Sequence, residues 1–428
     1  MKKTKLAVFF LGLLVPAFCL MHGSAHASGF AVYTVDQTAT SQGMSVVAHT
    51  DSPATIFFNP ALMNTLKGLQ VSMSYTAIVP SRKFQSEITG NQYNGVDNTS
   101  SVPSFFVTQS VNDKLSWGIG VFSPFGLQTN WGDTWEGRYI ATKNELLTIN
   151  VNPAISLKVL PNLSVAAGAD ILYGDAHLGE MLNLSTLGLP DAGQIMKADG
   201  MGFGFNVGAA WDPTKNITVG AAYRSRIRLD LYGSVTNSLP AVTPGQIAAL
   251  FPSTSGSADI TLPDQCFFGV AYKGIDKLKV EVGGKWEGWS SYKELDIRLQ
   301  QPIAYATQSI TPKDWHDIWM FNIGAEYQII DALSLMAGYL WQGNPIPGST
   351  FEASVPDNGS SVYSVGLKYQ IGKLWASPSY AYQHVYTRTK NNTVDGNPPG
   401  EPFDPATSAN GTYKTNLQII GLSVGYLF

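Results

Sequence analysis

Three arginines alternate along one short stretch of the sequence, and their side chains could bind a carboxylate. They are Arg224, Arg226 and Arg228. Positions two apart share a face of a β-strand, so the three guanidinium groups would point the same way. A guanidinium offers a planar pair of N–H donors that fits a carboxylate. Structural ion pairs are the alternative, for example with Asp230, Glu281 or Glu326 on neighbouring strands.

Side chains for catalysis or metal binding do not converge in this sequence. Residues 421–425 read Gly-Leu-Ser-Val-Gly and match a hydrolase pattern, but they lie inside an alternating stretch and not at a strand-to-helix turn. The histidines after residue 27 are dispersed, without metal-site spacing: His49, His177, His316 and His384. We expect no enzyme activity, no metal and no cofactor. A lipid hydrolase built on a barrel is the alternative, and it would need a nucleophile, a histidine and a polar partner on one strand face.

The amino terminus has the three parts of a secretory signal peptide. Residues 2–5 hold three lysines, residues 6–20 are mostly apolar, and Ala25-His26-Ala27 is an Ala-x-Ala cleavage site. The apolar stretch is shorter than the ~20 residues of a bilayer-spanning helix. We predict that residues 1–27 are removed and that Ser28 begins the mature chain.

The carboxy-terminal stretch alternates with a period of two. From Ile420 to Phe428 the even positions are large and apolar, and the odd positions between them are mostly small. This pattern indicates a strand with one face in lipid or core. A strand at the very end of the chain suits a closed barrel, whose last strand pairs with its first. The terminal aromatic residue also resembles the sorting signal of bacterial outer-membrane barrels, so we expect the barrel assembly machinery to bind Phe428.

Alternating segments recur through the rest of the chain. Turn residues such as Leu160-Pro161-Asn162 bound them. No segment after the signal approaches the ~20 apolar residues of a transmembrane helix. The sequence therefore predicts an all-β fold, a transmembrane antiparallel β-barrel of about 14 strands, since bacterial barrels use even numbers. The predicted strands are residues 69–79, 101–111, 115–128, 145–159, 163–177, 200–212, 217–235, 259–273, 278–299, 314–329, 333–342, 361–371, 374–389 and 414–428.

Charges lie on one face of several predicted strands. In 279–287 the charged residues alternate with apolar ones: Lys279, Glu281, Lys285 and Glu287. A charge that faces lipid costs ~2–4 kcal/mol near the bilayer midplane, so we place these side chains and the three arginines in the lumen. The alternation slips by one residue between Trp286 and Leu295, which predicts a bulge near 288–291 or a strand that has left the membrane there.

Three segments depart from alternation. Residues 28–66 are small and polar with scattered apolar positions, and we interpret them as a compact non-strand segment before the barrel. Residues 178–196 and 239–251 are apolar and are predicted to form helical or compact outer loops, near 178–197 and 236–257. Such loops could bind hydrophobic molecules, or they could pack on one another over the barrel mouth. The residues concerned are Met181, Leu184, Leu187, Ile247, Leu250 and Phe251.

Residues near the start of the predicted mature chain resemble the FadL/TodX outer-membrane transporters. The stretch from Ser28-Gly29-Phe30 to Gly43, and residues 51–61, look like the amino-terminal hatch of that family. The hallmark triplet Asn59-Pro60-Ala61 lies between the signal peptide and the first predicted strand. Ser123-Pro124-Phe125-Gly126 and the residues after it look like the family's third strand and its following loop. The resemblance covers the whole mature chain.

The resemblance implies a hatch of residues 28–66 that plugs a 14-stranded barrel of residues 67–428. Hydrophobic small molecules would be captured at apolar outer loops, enter a lumen pocket and leave sideways where the third strand kinks. Pro124 removes a ladder donor and Gly126 removes a side chain, which permits such a kink. Long-chain fatty acids and aromatic or aliphatic hydrocarbons both stay open as substrates. For a fatty acid, the three arginines are the candidates that bind the carboxylate.

Composition limits the other classes of function. A chain with a formal net charge of −4 has no electrostatic footprint for nucleic acid. A general diffusion porin or an adhesin is a further alternative, and it predicts polar loops and an open lumen. We expect a monomer in the outer membrane of a Gram-negative bacterium, surrounded by lipid and lipopolysaccharide.

Overall fold

The chain folds as a closed β-barrel with its amino-terminal segment inside. The structure is a computed structural model that describes residues 29–50, 52–96, 98–397 and 401–428. The predicted signal peptide and Ser28 lie outside the described residues. Across these ranges, no helix is both long enough and apolar enough to cross a membrane.

Strands account for most of the described chain. In chain order they are β1 Leu69–Ser86, β2 Gln92–Asn94, β3 Ser100–Ser110, β4 Leu115–Phe122, β5 Gly126–Asn130, β6 Lys143–Leu160, β7 Leu163–Leu182, β8 Ala192–Thr214, β9 Ile217–Arg224, β10 Ile227–Ser238, β11 Thr254–Leu262, β12 Gln265–Ile275, β13 Leu278–Glu287, β14 Glu294–Ile303, β15 Ala306–Pro312, β16 Ile318–Ile330, β17 Leu333–Gln342, β18 Ser360–Ile371, β19 Leu374–Val385, β20 Arg388–Lys390 and β21 Gly411–Leu427. The α-helices are α1 Gln37–Ser41, α2 Thr55–Phe58 and α3 Gly245–Ala248, and the 3₁₀ helices are η1 Pro60–Thr65, η2 Ser185–Leu187, η3 Trp289–Ser291 and η4 Pro405–Thr407.

Fourteen of these strands form the wall, each antiparallel to its neighbours. Their order around the barrel is β1, β3, β4, β6, β7, β8, β9, β12, β13, β16, β17, β18, β19 and β21. The last strand, β21, pairs with β1 from Gln70↔Leu427 to Ser86↔Gly411 and closes the wall. The predicted closed barrel of about 14 strands is confirmed.

The outward faces are apolar and the inward faces are small or polar. In β8, Met201, Phe203 and Phe205 are outward and exposed, while Gly202 between them and Asn206 after them point inward. Two-residue turns join β6 to β7 and β8 to β9 at one end, which we call the periplasmic end. Long connections leave the other end, which we call the outer end. There β10, β11, β14 and β15 extend the sheet beyond the wall.

A bulge between β9 and β10 changes the faces of the arginines. The two strands pair with β8 in registers that differ by one residue, because Ser225 and Arg226 interrupt the ladder. A one-residue shift exchanges the two faces of a strand. Arg224 points inward and is buried, whereas the side chains of Arg226 and Arg228 are 61% and 64% exposed. The prediction that the three arginines share one lumen face is wrong.

The segment predicted as an apolar loop at 178–196 is mostly strand. β7 and β8 pair from Leu178↔Met196 to Leu182↔Ala192, and only residues 183–191 connect them. The two strands of this long hairpin pair the backbone N–H and C=O groups of each other, so this apolar segment needs no helix to satisfy its backbone. Leu184, predicted at the surface, is 2% exposed because it packs inward.

The two other irregular segments follow the prediction more closely. Residues 239–251 contain one turn of helix, α3, and Leu250 and Phe251 follow it. The parity slip near 288–291 corresponds to η3, which separates β13 from β14.

Residues 29–66, which we call the hatch, lie inside the barrel and are almost entirely buried. The hatch contains α1, α2 and η1. The wall facing it is built from glycine at several positions. A Cβ at Gly338 or Gly366 would overlap hatch residues Gln42 or Ser41, so glycine is required for this close approach. The lumen is therefore filled by the hatch.

We predict that the hatch blocks ion flow. Deleting residues 28–66 while keeping the signal peptide should raise single-channel conductance in planar bilayers to that of an open pore, because the hatch fills the lumen. The deletion variant should keep heat-modifiable mobility on gels, which serves as the control for a folded wall. Unchanged conductance of a folded deletion variant would disprove the plug.

Candidate functional site

Asn59 joins three parts of the molecule. Its Oδ1 accepts the Ala61 N–H at 3.1 Å and so caps η1, while its Nδ2 donates to Val47 O at 2.8 Å and to Ala209 O of β8 at 2.9 Å. Asn59 is fully buried. Pro60 cannot donate and occupies the first position of η1, where no donor is needed. The sequence motif thus forms a turn that is hydrogen-bonded to the barrel wall.

A wall carboxylate holds a second turn of the hatch. Glu281 of β13 accepts three consecutive backbone N–H groups, from Val47 at 2.7 Å, Ala48 at 2.9 Å and His49 at 3.0 Å. The imidazole Nδ1 of His49 lies 2.7 Å from the same carboxylate. Bonds of this kind to an ionised acceptor are about twice as strong as neutral ones. Sequence analysis placed Glu281 in the lumen but assigned it no contact with the hatch.

Arg224 binds the hatch. Its guanidinium forms an ion pair with Asp170 at 2.6 Å and donates to Phe57 O at 3.1 Å and Ile56 O at 2.9 Å. A further N–H donates to Asn152 at 2.9 Å. This ion pair matches the structural alternative, but the partner is Asp170 and none of the three acids considered from the sequence. Arg226 and Arg228 lie on the outer surface of the barrel, where Arg228 pairs with Asp230 and Asp259, each at 2.8 Å.

Lys285 of β13 is the buried cation that sequence analysis did not select. Its ammonium lies 3.4 Å from the centroid of the Tyr33 ring and 4.4 Å from that of Phe267. The same group is 3.1 Å from a carboxylate oxygen of Glu287. It borders a cavity of about 20 Å³ whose apolar lining includes Met320 and Leu340. In the sequence, only its place on the charged face of residues 279–287 indicated that Lys285 lies in the lumen.

The wall is interrupted at residues 123–125, as the kink prediction requires. β4 pairs with β3 and β6, whereas β5, among the described strands, pairs with β6 alone. The hatch supplies the missing partners: Val32 N donates to Pro124 O and Gly126 N donates to Phe30 O, both at 2.8 Å. Ala31 and Phe125 form the β-bridge between these two bonds. The first residues of the hatch therefore cover the kink from inside.

Aromatic rings surround the same end of the hatch. Phe30 packs against Trp289, Tyr292 and Trp315, with ring centroids 4.6, 5.7 and 5.5 Å away. Asp357, in the loop between β17 and β18, accepts the Gly29 N–H at 2.7 Å. Burial raises the pKa of this carboxyl to about 7. The outer loops thus hold the amino-terminal end of the hatch directly.

The outer tips expose isolated apolar side chains. Leu187 is 48% exposed, Val242 is 70% exposed and Tyr305, at the tip of the β14–β15 hairpin, is 84% exposed. Of the loop residues selected from the sequence, Leu187 is exposed, Leu184 is buried, and the other four are half-buried: Met181, Ile247, Leu250 and Phe251.

The periplasmic side of the hatch is polar. A cavity of about 760 Å³ opens there, and it is lined by Leu62 and Leu66 of the hatch together with lysines and acids of the wall. The hatch separates this cavity from the aromatic region above it.

Ser423, from the Gly-x-Ser-x-Gly match, lies in the middle of β21. Its hydroxyl donates to Asp36 of the hatch at 3.1 Å and accepts the Gln37 N–H at 2.8 Å. Over the described ranges, no group of three His, Cys, Asp or Glu side chains could hold a metal ion. This serine has a structural role in anchoring the hatch.

Comparison with known proteins agrees with this architecture. Residues 18–428 match the family described as outer membrane protein transport protein (OMPP1/FadL/TodX). The chain is 23% identical to the long-chain fatty acid transport protein of Salmonella typhi, over 86% of this chain and 89% of that protein. Its fold is similar to that of a Pseudomonas aeruginosa FadL homologue, with a TM-score of 0.82, 21% identity and coverage of 94% of this chain and 100% of the other. It is also similar to the Ralstonia pickettii toluene transporter TbuX, with a TM-score of 0.69, 19% identity and coverage of 92% and 98%.

Replacing Asn59 should disturb transport more than barrel assembly. Asn59→Ala removes three buried hydrogen bonds and should loosen the hatch by about 2–4 kcal/mol, while the wall strands keep their own ladder. We expect uptake of a fluorescent fatty acid by cells to fall severalfold, with a wild-type amount of heat-modifiable barrel. Thr65→Ala, at an exposed end of the hatch, is the matched control. Normal uptake by Asn59→Ala at wild-type abundance would refute this role.

Proposed function

The chain belongs to the OMPP1/FadL/TodX family of outer membrane transport proteins, and we propose that it transports long-chain fatty acids, with capture at the outer tips and lateral release at the kink. Membership establishes the coarser statement: the protein is an outer-membrane β-barrel that transports hydrophobic compounds, and it is not an enzyme. The choice of substrate and the exit route are proposals argued below.

The choice of a fatty acid as substrate rests on the surroundings of the Lys285 ammonium group. Its Nζ is buried, and the one acceptor within reach among the described residues is a carboxylate oxygen of Glu287 at 3.1 Å. Glu287 also accepts from three other donors, namely Tyr33 Oη, Gln265 Nε2 and Trp289 Nε1. An ammonium has three N–H donors, and the rings of Tyr33 and Phe267 on its other sides are weaker partners than an acceptor oxygen. A ligand carboxylate would supply a further acceptor, which favours an acid over a hydrocarbon.

The surroundings of Lys285 suit an acyl chain. Phe267, Met320 and Leu340 line the adjoining cavity, and each buried CH₂ contributes about 0.8 kcal/mol. The cavity of about 20 Å³ is far smaller than a fatty acid. Binding therefore requires the hatch or its neighbouring side chains to move.

Capture at the outer end rests on the exposed tips. Leu187, Val242 and Tyr305 present apolar surface to the medium, and we assign the first contact with a fatty acid to these side chains. From there the aromatic cluster around Phe30 lies between the tips and Lys285.

Lateral release rests on the kink and its hatch cover. The backbone of residues 124–126 is bonded to hatch residues 30–32, so displacing these hatch residues would uncover the break in the wall. The Ser100 and Gln128 side chains contact each other between β3 and β5, and they would also have to separate.

Transport of hydrocarbons is the second candidate. The similar TbuX structure is titled a toluene transporter, and the aromatic rings around Phe30 would stack against an aromatic ligand without a charged group. Lys285 would then have no partner in the ligand, which is the feature that separates the two candidates.

Lys285→Met should distinguish the two substrate classes. The variant keeps most of the length of the side chain but removes its charge, so oleate should bind about tenfold or more weakly while toluene binding stays unchanged. Competition of each ligand against a fluorescent fatty acid on the purified protein measures this. Lys285→Arg, which keeps the charge, is the control. Equal affinity of Lys285→Met and wild type for oleate would favour hydrocarbons.

Restoring a regular strand at the kink should separate binding from uptake. Pro124→Val with Gly126→Val returns a ladder donor and adds two β-branched side chains that favour continuous pairing. The outer tips and Lys285 are untouched, so the purified variant should bind oleate normally while cells import it several times more slowly. Import at the wild-type rate would exclude this gap and favour a route past a moving hatch.

A further inference from the structure

Two lysines face each other on the outer surface where the barrel closes. Lys83 of β1 is directly opposite Lys414 of β21 in the antiparallel register, and both side chains are exposed. Directly opposed residues have Cβ atoms only about 4.5–5.5 Å apart, and like charges in such a pair destabilise a sheet. Neither lysine forms a salt bridge within the described ranges.

The positions around this pair are donors or neutral groups. Ser81 and Asn416 form the next outward pair toward the membrane, and Asn416 Oδ1 is 2.8 Å from Nδ1 of His384 on β19. Gln85 and Thr412 form the next outward pair on the other side. These side chains can all donate hydrogen bonds to an anion.

The pair lies above the apolar surface of the barrel. On the same outward face, Val79 of β1 is two positions below Lys83, and Ile420 of β21, 49% exposed, is three positions below Lys414. A group held between Lys83 and Lys414 would therefore lie at the depth where lipid headgroups begin.

Several outward cations elsewhere at this end form ion pairs within the protein. Arg228 pairs with Asp259, Arg298 pairs with Asp296 at 2.6 Å, and Lys143 pairs with Glu145 at 2.9 Å. The two directly opposed lysines of the closing seam have no such partner within the described ranges.

We propose that Lys83 and Lys414 bind a phosphate group of the lipid A headgroup of lipopolysaccharide. A phosphate carries enough negative charge to bridge two ammonium groups, and their four-carbon stems can bring both onto it from opposed positions. The acyl chains of the same lipid would lie along the apolar face of β1 and β21. This lipid would hold the first and last strands together from outside, apart from any transported ligand.

The test measures lipid A binding to the full-length protein in detergent by native mass spectrometry. The wild type should prefer diphosphoryl lipid A over enzymatically dephosphorylated lipid A by about tenfold or more at low salt. Lys83→Gln with Lys414→Gln should lose that preference. Lys143→Gln, at an ion-paired outward lysine, is the matched control, and Lys83→Arg with Lys414→Arg should keep the preference.

Three outcomes would overturn the proposal. One is equal binding of the two lipids by the wild type. Another is a preference that survives in the double glutamine variant, provided that heat-modifiable mobility shows it is folded; if it does not fold, the single variants take its place. The third is displacement of lipid A by an equal concentration of inorganic phosphate, which would show a site for free anions.

Discussion

Backbone hydrogen bonding is the constraint on which this structure depends. In lipid, every N–H and C=O of the wall must find a partner inside the protein, and a closed barrel meets this demand strand by strand. The wall breaks the pattern at residues 123–125, and there the hatch completes it through Val32 and Phe30. The hatch is thus part of the hydrogen-bonded wall at that point as well as a filling for the lumen.

The same demand explains how the lumen charges are arranged. Glu281 of β13 and Arg224 of β9 both point into the lumen, where Glu281 accepts hatch N–H groups and Arg224 donates to hatch carbonyl groups. Asn59 does both. Because these bonds are charge-assisted or buried, the hatch cannot shift at one of them without cost at the others. Lys285 differs from them, since its neighbours are two rings and a carboxylate shared with three other donors, and we propose it as the group that meets a ligand.

The alternation of side chains was enough to predict the closed barrel, its strand number and the inward direction of the charged face in β13. Period-two patterning is strong where one face meets lipid. The faces of Arg226 and Arg228 were not predictable, because a bulge at Ser225 leaves no distinctive residue pattern and a one-residue shift reverses everything beyond it. The hairpin at 178–196 was mistaken for a loop because apolar residues beyond the membrane fit a compact loop and a sheet that extends past the membrane equally well. The contacts of Glu281 and Lys285 required the hatch conformation, which depends on tertiary packing.

One hatch side chain reaches both ends of the barrel sequence. Gln37 Nε2 donates to Ser74 at 3.1 Å and Thr76 at 2.6 Å on β1, its Oε1 accepts from Ser379 on β19, and its N–H donates to Ser423 on β21. These acceptors and donors come together only after the last strand has paired with the first. The hatch precedes in the chain every strand that binds it, so the full set of partners for Gln37 exists only in the closed cylinder.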